Sequence, residues 1–203
     1  MKLSNFKINQ NQNLYKFNED SLRLLRMIKT LPTDACVADL GAGSGIISIG
    51  ISKNFKVKKI HSFEICKDSY ESLKNNVSIN KCKSITPLHQ NYKDLEDKKF
   101  ENYYNLIISN PPYFKKNEGK LPKSKELQYA KHEIAASLSD LINIALKCLK
   151  NKGRAIFCYP QIRNSDVLKK INNRNLFLKR KEIVKNKKRD LIFYEFIKLL
   201  PKA

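Results

Sequence analysis

The chain has 203 residues, of which 41% are hydrophobic and 29% charged, a size and balance that suit one globular domain and exclude both two large lobes and an apolar-poor disordered chain. Forty Lys and Arg against 19 Asp and Glu leave a net charge of +21, which points to a polyanionic partner, most simply nucleic acid. A membrane surface would also require an apolar anchor, and the longest apolar run, Leu141 to Leu149, is interrupted by Asn143 and Lys147 and is too short to span a bilayer. The polar stretch Met1 to Asn13 lacks the apolar centre of a secretory signal. Cys36, Cys66, Cys82, Cys148 and Cys158 are odd in number and form no CxxC pair, so they read as reduced thiols of a cytoplasmic protein. The three histidines lie far apart with no Cys at zinc-ligand spacing, and no metal is expected.

In chain order, Asn18–Ile28 reads as a helix capped by Asn18, with Leu22, Leu25 and Ile28 on one side. From residue 35 onward, strand patterns alternate with helical ones. Strands are expected at Ala35–Leu40, Val57–Glu64, Ser84–Gln90, Tyr103–Asn110, Arg154–Pro160, Leu176–Val184 and Asp190–Leu199. Helices are expected at Ser44–Lys53, Lys67–Asn80 and Ala135–Lys150; in the last, Leu138, Leu141, Ile142, Ala145 and Leu149 repeat as one buried face. This alternation predicts an α/β fold with a seven-stranded, mostly parallel sheet and helices on both faces. Only Lys185–Arg189 joins the last two strands, too short for a parallel crossover, so they should form an antiparallel hairpin at the sheet edge. With no repeat and no linker, residues 1–203 read as one domain, an N-terminal segment and helix over 1–34 followed by a core over 35–203.

Three of the six glycines fall in Asp39-Leu40-Gly41-Ala42-Gly43-Ser44-Gly45, where the first strand turns into a helix. Such a turn brings backbone N–H groups close to a ligand where side chains would block the approach. The spacing is neither that of dinucleotide enzymes nor that of a phosphate loop. Glu64, nineteen residues after Gly45, ends the second strand, where a carboxylate can accept hydrogen bonds from both hydroxyls of a ribose. Asn110-Pro111-Pro112-Tyr113 ends the fourth strand, at the same edge of a parallel sheet, so the three features should share one cleft. Pro111 and Pro112 remove two donors and stiffen the chain, leaving the Pro111 carbonyl and the Asn110 amide oxygen as fixed acceptors suited to an amine. Tyr113 offers a flat face on which a planar base or amide can stack.

With these motifs the sequence resembles a class I S-adenosylmethionine-dependent methyltransferase of the N-P-P-Y type. Within that group it is most similar to bacterial tRNA adenine-N6 methyltransferases acting on adenine 37 of a valine tRNA. The likeness runs from Gln10 onward and includes the segment Tyr15 to Leu22, Phe114, and Tyr129-Ala130-Lys131-His132-Glu133, with Lys131 where the family usually has Arg. It implies a Rossmann-like fold and S-adenosylmethionine as cofactor. It also implies a cofactor site formed by Asp39, Gly41, Gly43, Gly45, Glu64, Phe17 and, where many relatives carry an acid, Asn91. The implied reaction is direct methyl transfer to an adenine N6 oriented by Asn110, Pro111, Pro112 and Tyr113.

Lys115, Lys116, Lys120, Lys123 and Lys125 follow the N-P-P-Y motif in a stretch with no clear period, and are expected to contact RNA phosphates. A second basic cluster, Lys179, Arg180, Lys181, Lys185, Lys187, Lys188 and Arg189, surrounds the expected hairpin turn. Beside tRNA methylation stands DNA adenine methylation, for which the chain shows no obvious target-recognition domain, and two readings further from it. One is glutamine N5 methylation of a release factor, although such enzymes should carry a further N-terminal helical domain and about 34 residues precede the first expected strand. The other is an RNA-binding module that keeps the scaffold without the chemistry.

Overall fold

The computed structural model describes residues 6–9, 19–95, 98–113, 136–171, 174–185 and 189–201. Among them, strands β1 (Cys36–Leu40), β2 (Lys59–Glu64), β3 (Ile85–His89), β4 (Tyr104–Ser109), β5 (Leu149–Pro160), β6 (Leu176–Val184) and β7 (Leu191–Lys198) form one sheet in the order β3-β2-β1-β4-β5-β7-β6. The first five are parallel to one another, and β7 runs antiparallel between β5 and β6. The hairpin therefore closes the sheet with its second strand inside and its first at the edge, the compact solution when only a short turn joins the two. Five α-helices lie among the described residues: α1 (Glu19–Met27), α2 (Ile46–Asn54), α3 (Lys67–Ile79), α4 (Leu138–Cys148) and α5 (Asn164–Ile171).

Alternation along the strands divides the interior into two layers. Cys36, Ala38 and Leu40 of β1 pack in the layer shared with α4 and α5, whereas Val37 packs in the layer of α1 and α2. Chain order reverses between β1 and β4, and the register there is decisive. Leu40 is paired with Phe63 on one side and with Ser109 on the other. The residues that follow these three, Gly41, Glu64 and Asn110, consequently leave the sheet at one level, on both sides of the switch point.

Helix α1 is tied down at both ends. Its Leu25 meets α2 at Gly50, where an added Cβ would lie 2.5 Å from Leu25 Cδ1. Its C-terminal end is clamped by an ion cluster around the buried Glu195 of β7, which pairs with the half-buried Arg154 at 3.0 Å and Arg180 at 3.0 Å. The two guanidiniums also donate to the carbonyls of Thr30 and Met27. Open carbonyls at a helix C-terminus welcome cations, and Glu195 offsets the cost of burying them.

The expected elements recur with small shifts, and two differences are physical. Helix α4 stops at Cys148 and β5 begins at Leu149, because residues 150–153 bulge out between the pairs Tyr104↔Leu149 and Leu106↔Arg154. Helix α5, not expected from the sequence, has eight residues and buries only Val167 and Ile171, too little periodicity to stand out. The Asn18 cap lies outside the described residues. All five cysteines are free and buried, and among the described residues no helix is long and apolar enough to cross a membrane.

Beneath β2, His61 is 7% exposed among Phe63, Phe100, Tyr103 and Tyr104, with Nδ1 2.9 Å from the Tyr104 hydroxyl. Burial, reinforced by the positive charges of Lys59 and Lys99, pushes its pKa down from 6.5 to about 4. The unfolded chain then binds a proton between these values that the folded chain refuses, so this group's contribution to stability falls as pH drops from 6.5 toward 4. Asp39, discussed below, has the opposite slope, so the effect is read as a difference. Denaturant unfolding of the wild type should lose about 2–3 kcal/mol relative to His61→Phe between pH 7 and pH 4; a pH-independent difference would show that His61 is not held neutral.

Candidate active site

A cleft opens at the carboxyl ends of β1, β2, β3 and β4. Its walls include Ser44 and, of the residues expected to form a site, Gly41, Gly43, Glu64, Asn91, Asn110, Pro111 and Pro112. Gly41 and Gly43 have φ of +72° and +56°, and a Cβ built on either meets nothing within 4 Å. They are therefore open on the side where a ligand's weight would fall, and any side chain there would be strained and would fill the approach. Gly45 serves packing instead: its Cβ would lie 2.5 Å from Leu73 Cδ1 of α3.

The turn's N–H groups are not bare, contrary to expectation. Gly41 and Ala42 both donate to the Phe63 carbonyl at 2.9 Å, Gly45 donates to the Ala42 carbonyl, and Gly43 donates to Glu64 Oε2 at 2.8 Å. The glycine turn is thus shaped by internal hydrogen bonds, and what it offers a ligand is close approach. Glu64 in turn is held by one N–H on each oxygen, Gly43 on Oε2 and Cys66 on Oε1, both at 2.8 Å. The Ile65 N–H also bonds this carboxylate, and with about four lone-pair sites on the two oxygens, acceptor capacity remains for a ligand hydroxyl in the cleft. Burial pushes the Glu64 pKa up, and the N–H groups of Cys66 and Gly43 oppose that shift.

Asp39 is not part of the cleft wall. It is fully buried one layer below, where Oδ2 accepts from the Ser48 N–H at 3.1 Å and the Ser48 hydroxyl at 2.6 Å, anchoring the first turn of α2 beneath the glycines. Its Oδ1 has no hydrogen-bond partner among the described residues. Burial, countered by Ser48 and increased by the charge of Glu64, pushes its pKa up to about 7. Asn91 borders the cleft at the end of β3, where its side chain accepts from the Lys93 N–H at 3.1 Å and caps the following turn.

On the opposite wall, Asn110 is wired to the first turn of α1. Its Nδ2 donates to Ser21 Oγ at 3.0 Å. Its Oδ1 accepts from the Tyr113 hydroxyl at 2.9 Å and from the Cys158 thiol at 3.3 Å. The same hydroxyl lies 3.2 Å from Asp20 Oδ2. Tyr113 therefore does not line the cleft; Arg189 sits over its ring at 5.8 Å and Arg163 donates to its carbonyl at 3.4 Å. Burial holds the Cys158 pKa far above its usual value, so the thiol stays protonated and can donate.

Of the second basic cluster, Arg180 is engaged with Glu195 and the end of α1, while Lys187 and Lys188 lie outside the described residues. Phe17, Lys115, Lys116, Lys120, Lys123 and Lys125 also lie outside them.

Sequence reasoning missed Ser21, Tyr92 and Asn76. The first two border the cleft, and nothing in the pattern of α1 or of the turn after β3 marks them. Asn76 of α3 and Asn80, which caps the C-terminus of that helix, are both buried. Asn76 Oδ1 accepts from the Asn9 N–H at 2.9 Å, and its Nδ2 donates to the Asn9 and Ser44 carbonyls at 3.0 Å each. Asn80 makes the same reciprocal pair with Lys7. The only available signal is the four-residue spacing of two asparagines.

The chain matches the methyltransferase small domain family over residues 16–187. It is 26% identical over 159 residues to a tRNA1(Val) (adenine(37)-N6)-methyltransferase of Vibrio campbellii, covering 78% of this chain and 64% of that protein. It is also 26% identical over 164 residues to a release factor glutamine methyltransferase of Fusobacterium nucleatum, covering 77% and 45%. The crystal structure of the M. jannaschii tRNA m1G37 methyltransferase shares the fold, with a TM-score of 0.68 at 18% identity over 97% of this chain and 58% of that one. The chain spans less than two thirds of the length of each of these three proteins.

Because Asn76 joins residue 9, α3 and the glycine turn, its truncation leaves an N–H and two carbonyls without this partner at once. Asn76→Ala should lower unfolding stability by about 2–4 kcal/mol in urea titration, with Asn76→Asp no better because it loses the donor. A loss below about 0.5 kcal/mol would show that the Asn9 and Ser44 groups find other partners.

Proposed function

The chain belongs to the methyltransferase small domain family, and we propose that it transfers a methyl group from S-adenosylmethionine to the N6 amine of an adenine in tRNA, with adenine 37 beside the anticodon as the expected position. The observation that carries this reading is the convergence of Gly41, Gly43, Glu64, Asn91 and the Asn110-Pro111-Pro112 segment on one cleft.

The residues fit the cofactor. The acceptor capacity left on Glu64 suits a ribose hydroxyl, and the open sides of Gly41 and Gly43 admit the adjoining chain of the molecule. Asn91 and Tyr92 flank the space left for a base. When bound, S-adenosylmethionine supplies a methyl group made electrophilic by its sulfonium. The protein's part is to prepare the amine. An exocyclic adenine nitrogen is a weak nucleophile because its lone pair is delocalised into the ring. Acceptance of its two hydrogens by Asn110 Oδ1 and the Pro111 carbonyl would orient that lone pair toward the methyl. Asn110 is not a base: a carboxamide cannot keep the proton at neutral pH, so its work is orientation.

An RNA substrate is supported by the net charge of +21 and by the likeness to the tRNA-modifying relative. An adenine in a tRNA loop also unstacks at low cost. Glutamine N5 methylation of a release factor is the second reading, supported by the Fusobacterium relative; an amide nitrogen would satisfy the same two acceptors.

Transfer of labelled methyl to total tRNA, total rRNA and release factors in parallel, followed by nucleoside analysis, should yield N6-methyladenosine in tRNA. Asn110→Ala should reduce that transfer by about two orders of magnitude with S-adenosylhomocysteine affinity nearly unchanged, while Glu64→Ala should weaken that affinity by about 1–3 kcal/mol. Label in release factor alone would favour the second reading, and near wild-type turnover by Asn110→Ala would remove the role given to that residue.

Lys115, Lys116 and Lys120 follow Tyr113 closely in sequence, and they are proposed to meet RNA phosphates. Replacing the three by Ala should weaken tRNA binding and reduce the slope of log K against log salt by roughly one unit per lost contact. An unchanged slope would place the phosphate contacts elsewhere.

A further inference from the structure

The glycine turn that borders the cleft meets α3 at two neighbouring positions of that helix. Leu73 packs against Gly45, where an added Cβ would lie 2.5 Å from Leu73 Cδ1, and Asn76 Nδ2 donates to the Ser44 carbonyl at 3.0 Å. Gly41, Gly43 and Gly45 give the turn little conformational preference of its own, so its shape rests on such contacts. An amide can serve the Ser44 carbonyl only with its nitrogen toward it; turned over, it would present an oxygen to an oxygen. Residue 9 fixes which way it faces. The Asn9 N–H donates to Asn76 Oδ1 at 2.9 Å, and the Asn9 carbonyl accepts the second Nδ2 hydrogen at 3.0 Å, with the Ser72 hydroxyl at 3.4 Å beside it. One helical turn further on, Asn80 makes the same reciprocal pair with Lys7, accepting from its N–H at 3.0 Å and donating to its carbonyl at 2.6 Å. The other Nδ2 hydrogen of Asn80, however, returns to the Asn76 carbonyl at 2.8 Å. Of the two asparagines that grip residues 7 and 9, one reaches the glycine turn and the other does not.

We propose that Asn76 is a positioning residue that couples the docking of residues 7–9 to the shape of the glycine turn, and through the turn to the affinity for S-adenosylmethionine. The Asn9 N–H holds the amide oxygen, and the amide nitrogen holds the Ser44 carbonyl. Ser44 and its neighbour Gly43 border the cleft, and Gly43 donates to Glu64 Oε2 at 2.8 Å. This relay ends on the wall opposite Asn110, so it acts on cofactor binding and leaves the transfer step alone. The inference rests on the reading of the cleft as the cofactor site and holds for an RNA or a protein substrate alike.

Proline carries no N–H, so Asn9→Pro removes the donor that orients Asn76 without altering α3 or the turn, and Lys7→Pro removes the equivalent donor from Asn80. Titration calorimetry with S-adenosylhomocysteine should show Asn9→Pro and Asn76→Ala each raising Kd about tenfold, against less than about twofold for Lys7→Pro and Asn80→Ala. Asn9→Pro added to Asn76→Ala should cost no further affinity, the relay being already broken. In methyl transfer, the KM for S-adenosylmethionine should rise in Asn9→Pro with kcat at saturating cofactor little changed, a split that general loosening of the fold would not produce. A silent Asn9→Pro overturns the proposal. So does a Lys7→Pro that weakens binding as much as Asn9→Pro, or an Asn9→Pro loss that persists in full in the Asn76→Ala background. Should Asn76→Ala fail to fold, the comparison of Asn9→Pro with Lys7→Pro decides alone. Glu64→Ala run alongside separates the two levels: unchanged affinity there removes the reading of the cleft itself, whereas weakened binding by Glu64→Ala with a silent Asn9→Pro overturns only the inference.

Discussion

Two backbone pairings hold the site together: Leu40 with Phe63 and Leu40 with Ser109. A strand's side chains alternate between faces, so a slip of one residue in either pairing would exchange the two layers of the core and bury the wrong set. The hydrophobic pattern of β1, with Val37 in one layer and Cys36, Ala38 and Leu40 in the other, prevents that slip. The same register brings Gly41, Glu64 and Asn110 out of the sheet together. The geometry of the cleft is therefore a by-product of core packing, and the chemistry needs only suitable residues one position past each pairing.

Placing a carboxylate at such a position is costly, and the turn is arranged around that cost. Glu64 is buried, and desolvation alone would favour its neutral form. Two N–H groups from opposite sides, Gly43 and Cys66, restore part of its solvation and fix its plane. This explains why the glycine turn aims a donor at Glu64 and leaves the ligand only space. Asp39 shows the alternative outcome. With Ser48 on one oxygen and no partner among the described residues on the other, its pKa rises to about 7. A protonated Asp39 still holds α2 through Oδ2 and lessens the repulsion that Glu64 feels. The two acids, both expected at the cofactor, thus divide into one facing the cleft and one supporting it.

The sheet and the identity of the cleft were legible because they rest on strong local signals: alternating apolar runs, three glycines in five residues, and a doubled proline at a strand end. Those signals act within a few residues of one another. What remained illegible acts across the chain. Nothing near Asn76 announces that its amide bridges Asn9 and Ser44, sequence separations of 67 and 32. Arg180 looked like surface charge because its partner Glu195 comes from the next strand and its second acceptor, the Met27 carbonyl, lies 153 residues away. Tyr113 reads as a stacking platform from its place in the motif, and nothing there announces that its hydroxyl also reaches Asn110 and Asp20. Residue type announces capability; only the fold decides which neighbour uses it.

Helix α1 connects these long-range contacts. Its first turn supplies Ser21 to the Asn110 amide and Asp20 to Tyr113, so the acceptor geometry of the N-P-P-Y segment depends on where a helix of nine residues sits. A helix that short has little stability of its own and takes its position from tertiary contacts. Those contacts lie along its length and at its far end: Leu25 against Gly50 of α2, and the Thr30 and Met27 carbonyls held by Arg154 and Arg180 around Glu195. The Glu195 cluster lies on β5, β6 and β7, outside the cleft, yet it sets the axial position of the helix that orients Asn110. An ion cluster around a buried carboxylate is weak support for stability but resists displacement of its members, since moving one leaves the others unpaired. Rigidity at the sheet edge is in this way transmitted along one helix to an amide whose function is to hold still.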